Sequence, residues 1–72
     1  MKNVINIDEN LRSQLSKAAT HMKTSGDEAC QVGESGFILV VKDSKTYNDH
    51  LNKYQQLANF EQDGRFYVLF AG

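Results

Sequence analysis

One cysteine, Cys30, in 72 residues leaves no route to an internal disulfide. Nor is there a grouping of His, Cys, Asp and Glu at the spacing of a metal site, because neither His21 nor His50 stands in a recognisable ligand motif. A domain this small buries only about 60% of the surface its unfolded chain exposes. Without such staples its stability must come from economical packing or from a second subunit, so an oligomer or an obligate complex is expected. No apolar run reaches the length of a membrane span or has the pattern of a signal peptide. With the unpaired cysteine, this points to a cytoplasmic protein that makes no contact with a membrane. Cys30 itself reads as a small buried hydrophobe.

Catalytic chemistry is missing as well. Asp43 and Asp49 have no surroundings that would make them an acid–base pair, and no nucleophile with a base or phosphate-binding loop is legible. Neither an enzyme nor a cofactor is expected. Eight basic against nine acidic residues, a net charge of −1, argue against a bulk polyanion binder but leave room for a local basic face. The charges are unevenly placed. Through Lys23 they are Lys2, Asp8, Glu9, Arg12, Lys17 and Lys23, a basic excess, and from Asp27 onward the balance turns acidic. That asymmetry suits a protein with a nucleic-acid end and a protein-partner end, and equally suits ordinary solvated faces.

What is present is a clear alternation of element signals. Val4, Ile5 and Ile7 suit a short strand, and Asp8 suits the cap of a following helix. Leu11, Leu15, Ala18, Ala19 and Met22 recur at helical spacing, with Thr24, Ser25 and Gly26 as the stop. The opposite face carries Arg12, Ser13, Ser16, Lys17 and Thr20, which fits solvent or phosphate. Next, Ala29–Val32 and Phe37–Val41 flank Gly33-Glu34-Ser35-Gly36, a β-hairpin signal. The second run has no alternation, so it is either covered on both faces or shared between a helix layer and a dimer interface. With so few elements the shared interface is expected, formed by Phe37, Leu39, Val40 and Val41.

Asp43 or Ser44 can cap a second helix whose stripe is Tyr47, Leu51, Tyr54, Leu57 and Ala58. Tyrosines on such a stripe more often belong to the core than to a binding platform. Asp63-Gly64 then signals a hairpin between Phe60 and Phe66, in competition with a helix end followed by a strand. Arg65 to Phe70 is too apolar to stay in water. It is expected as a strand beside Phe37–Val41, parallel to it with a right-handed crossover, or else as a partner-binding segment. The fold class is therefore α+β: a small two-layer domain of helix, β-hairpin, helix and C-terminal strand, dimeric.

The order Ile5-Asn6-Ile7-Asp8, Arg12-Ser13-Gln14-Leu15, a Gly-marked turn with Leu39-Val40-Val41, then Asp43 or Ser44 with Tyr47 and Leu51, resembles the Phd/YefM antitoxin family. The resemblance covers about residues 4–57. It implies a homodimer that binds operator DNA through its N-terminal segment and first helix and neutralises a protein toxin. By position, Lys2, Asn6, Arg12 and Lys17 would face DNA, with Asn6 able to read a base edge. The second reading is a small inhibitor, of the kind mobile elements and phages encode, that binds a host or defence protein without touching DNA. Its surface would be an aromatic patch from Tyr54, Phe60, Phe66 or Tyr67. Both readings require a protein partner.

Overall fold

Leu15, Ala18, Ala19 and Met22, the apolar stripe of the first helix, are all buried in the computed structural model, which describes residues 9–33 and 36–71. They lie on α1 (Glu9–Ser25), which ends where Gly26 donates its N–H to the Met22 carbonyl at 2.8 Å. The strand expected over Val4 to Ile7 and the cap expected at Asp8 fall outside the described residues.

β1 (Ala29–Val32) and β2 (Phe37–Val41) form the expected hairpin, with Val32 opposite Phe37 and Ala29 opposite Val40. At Gly33 φ is +53°, and a Cβ there would come within 2.9 Å of Gln14 Oε1. Turn and helix therefore meet at a point that suits a residue without a side chain. α2 (Lys45–Lys53) begins at Ser44, whose hydroxyl accepts the Tyr47 N–H at 3.2 Å and donates to the Val41 carbonyl at 2.7 Å. Of the two candidate caps, Ser44 takes the role.

The order of elements then departs from expectation. The second helix stops at Lys53, and Leu57 and Ala58 lie instead in a strand, β3 (Gln56–Gln62). Asp63 and Gly64, with φ of 53° and 79°, make a two-residue turn of the I′ kind into β4 (Arg65–Ala71). Such a turn requires a strand on each side, and pairing along β4 outweighs a helical repeat carried by only a few apolar residues. The added strand also reverses the chain. β4 consequently meets β2 antiparallel, Leu39 opposite Leu69, rather than in the parallel pairing expected. Among the described residues the sheet order is β1-β2-β4-β3, which leaves β1 and β3 at the edges.

Alternation along β2 and β4 divides the interior in two. On one face Val32, Leu39, Tyr67 and Leu69 pack against the α1 stripe. On the other, Val40, Val68 and Phe70 pack with Ala29, Ile38 and Tyr47 of α2. The helices thus cover opposite faces, so the domain has three layers where two were expected. Each fully buried Leu, Val or Phe on these faces contributes about 1.5–3 kcal/mol of transfer free energy. Leu39 and Val40 both have 0% exposure, so neither leaves surface for a dimer interface. Phe37 and Val41 are half-buried against the α1 cluster. The two-sided apolar run is closed by the chain's own helices.

Candidate functional site

Three large hydrophobic side chains among the described residues are exposed: Leu51 at 46%, Tyr54 at 39% and Phe66 at 51%. All three belong to the α2 side of the sheet. Tyr54 is the C-terminal cap of α2, its ring 5.1 Å from that of His50, which in turn lies 5.7 Å from Phe70. His50 is held from below by its Nδ1, 2.9 Å from the Thr46 carbonyl. Thr46 also donates to Glu28 Oε1 at 2.8 Å, which ties that flank of α2 to the start of β1. With about 100° of helix rotation per residue, Leu51 falls about 140° around α2 from Thr46, on the other flank.

Phe66 lies on the same face by strand alternation, because Val68 and Phe70 point toward α2. Its cross-strand neighbours are Glu61 of β3 and Lys42, whose N–H donates to the Phe66 carbonyl at 3.0 Å. Both of these charged residues are exposed. α2 has only nine residues and reaches across β1, β2 and β4, leaving Asn59, Glu61 and Phe66 open. Phe66 thus stands near the Asp63-Gly64 turn with one charge of each sign beside it, while Tyr54 lies toward the other end of β4, where Ala71 donates to the carbonyl of its neighbour Gln55.

A second feature lies on the α1 face. Between α1 and the edge strand β3 is a groove of about 470 Å³ lined by Arg12, Leu15, Ser16, Ala58, Phe60 and Gln62. Gln62 bridges its end, donating from Nε2 to the Ser16 carbonyl and to Thr20 Oγ1, each at 3.3 Å. Because α1 packs chiefly on β1, this side of the sheet is only partly covered.

The expected partner-binding residues separate accordingly. Tyr54 and Phe66 are on the open α2 side. Tyr67 has 1% exposure and lies under α1, its hydroxyl 3.5 Å from the Ala19 carbonyl, so it is a core residue and not part of a binding surface. Phe60 is half-buried, stacked on Tyr67 and lining the groove. Of the residues expected at DNA, Lys2 and Asn6 lie outside the described residues, while Arg12 and Lys17 are both exposed on α1. Five residues apart, these two point about 140° away from each other around the helix. Leu51 was missed as a surface residue because it shares a helical stripe with Tyr47. The groove was missed because it needs β3, which the Asp63-Gly64 turn alone could have announced.

Among the described residues no group of three or more His, Cys, Asp or Glu side chains is arranged to hold a metal ion. No helix of the described residues is long and apolar enough to cross a membrane. No protein-family model matches the chain, and neither the curated proteins nor the solved structures give a match.

Proposed function

We propose that this chain is a small binding protein that acts by direct contact with a protein partner through the sheet face that exposes Leu51, Tyr54 and Phe66. The observation that carries the reading is that, among the described residues, the three exposed large hydrophobics lie on one side of a sheet whose other apolar residues there are buried or half-buried. Scattered single hydrophobics are ordinary on a protein surface, whereas apolar groups gathered on one face and flanked by charge fit an interface. Lys42 and Glu61 beside Phe66 give that face a polar rim of both signs, which suits selection of a partner's register more than raw affinity. The partner is a protein that offers an apolar anchor with charges around it. If the Phd/YefM resemblance holds, that partner is a toxin; otherwise it is a host or defence protein.

Operator binding draws less support, because Arg12 and Lys17 diverge around α1 and the net charge is −1. In that reading Arg12→Ala weakens duplex binding at low salt, with affinity falling as salt rises.

The test is site-specific photo-crosslinking in the producing cell, with the crosslinker placed at Phe66 and, as control, at Lys23. A discrete protein adduct at Phe66 that disappears with Leu51→Asp supports the reading. Equal labelling at both positions, together with salt-sensitive duplex binding by the purified protein, returns the weight to DNA.

A further inference from the structure

We infer that β3 is a pairing edge for a second copy of this chain, the two strands running antiparallel about a two-fold axis through Phe60. The argument starts from the phase of the β3–β4 hairpin. In a two-residue hairpin the closing pair, here Gln62 and Arg65, exchanges both of its backbone hydrogen bonds. Phe60 with Tyr67 and Ala58 with Leu69 are the next such pairs, and the Ala71 N–H to Gln55 carbonyl bond of 3.0 Å agrees with that phase. Asn59 and Glu61 therefore aim their backbone N–H and C=O groups away from β4. Among the described residues β3 is an edge of the sheet, and these groups face outward.

Edges are ordinarily guarded by lysine, proline or a bulge. Between Gln56 and Gln62 there is no lysine, arginine or proline, and the irregularity between Gln56 and Ala58 disturbs only the start of the strand. Ala58 to Gln62 is left as a regular stretch whose one charge is Glu61.

The stretch is self-complementary in one register. With Phe60 opposite Phe60 of the second copy, Asn59 meets Glu61 twice, and all the outward backbone groups of both residues find partners, about four hydrogen bonds in all. Side chains agree with this choice. On the α2 side each Asn59 amide faces a Glu61 carboxylate, while a shift that set Glu61 against Glu61 would oppose like charges. On the α1 side the two Phe60 rings form a non-hydrogen-bonded pair, the closest kind of side-chain approach, at the mouth of the groove lined by Arg12 and Leu15. A second copy thus fits both the backbone and the cavity beside it.

The product is a continuous sheet of eight strands, twice the four of one chain's described residues, with both α1 helices on one face and both α2 helices on the other. The contact falls under about 1,200 Å² of total buried surface, so the dimer dissociates on dilution.

The test is sedimentation of the full chain alone across a wide concentration range, which reads out without any partner and so fails or succeeds independently of the proposed function. A monomer–dimer equilibrium is expected. Asn59→Pro removes an outward N–H without touching the β4 ladder and abolishes the dimer. Asn59→Asp sets carboxylate against carboxylate and raises the dissociation constant at least about tenfold, and adding Glu61→Lys restores it. A monomer at every concentration overturns the inference, as does a dimer indifferent to the charge pair. If the proline variant loses its fold by circular dichroism, the charge pair decides alone.

Discussion

Phe60 and Tyr67 stack across the β3–β4 hairpin with ring centroids 5.4 Å apart and planes 24° from parallel. Arg65 places its guanidinium carbon 5.7 Å from the Tyr67 ring centre, within cation–π reach. The stack turns an edge strand into part of the α1 core, since Tyr67 is buried beneath Ala19 while Phe60 reaches the groove. Tyr67→Ala is expected to cost about 3–5 kcal/mol, as for other large buried aromatics. Tyr67→Phe is expected to cost less than about 1 kcal/mol, because its hydroxyl contact is long at 3.5 Å. Urea denaturation of both variants checks the contrast, and equal losses would show that the hydroxyl, not the ring, matters.

Ser44 and Asp43 separate in a simple experiment. Only Ser44 bonds the first turn of α2, so Ser44→Ala should lower stability by about 1 kcal/mol while Asp43→Ala changes little. The midpoint of chemical unfolding for each variant decides it.

Gly64 has φ of 79° at the second position of the turn. Gly64→Ala forces a left-handed conformation on a residue with a Cβ and should cost about 1–2 kcal/mol. Thermal unfolding followed by circular dichroism measures this, and an unchanged midpoint would mean that the turn is not of the I′ kind.

Val40 and Phe66 point to the same face of the sheet but differ in cover. Val40→Asp buries an unpaired carboxylate at a position with 0% exposure and should unfold the chain, not merely separate subunits. Phe66→Asp, at 51% exposure, should leave the fold intact and remove partner crosslinking. Far-ultraviolet circular dichroism of the two variants is the check.

Much of this architecture is legible in the residues. Leu15, Ala18, Ala19 and Met22 announce α1 through periodicity, and Gly33 with Gly36 announces the first hairpin through turn chemistry. Both signals are local, and local signals survive folding. The layer order is not local. Whether Leu39 and Val40 are closed by a second chain or by α2 depends on which way the chain turns after Val41, and nothing in Lys42 to Ser44 states that direction. β3 was hidden for another reason: Leu57 and Ala58 continue the helical phase of Tyr47 and Tyr54, so the stronger repeat masks the strand spacing of Ala58, Phe60 and Gln62. At the candidate site, Tyr54 and Phe66 are legible only together with Phe60 and Tyr67, as one alternative patch, and Leu51 is not, since an apolar stripe does not say where the helix overhangs its sheet.

The strand order has a consequence for how the chain reaches this state. β4 is the latest of the four described strands in sequence, yet it lies between β2 and β3 and supplies residues to both apolar clusters. During synthesis α1, the first hairpin and α2 emerge before the strand they depend on. Until Arg65–Ala71 leaves the ribosome, the inner edge of β2 is unpaired and each cluster lacks its largest members, Tyr67 and Phe70. Neither cluster can close before β4 is in place, and a chain lacking it exposes both apolar faces, the kind of surface that recruits chaperones and proteases.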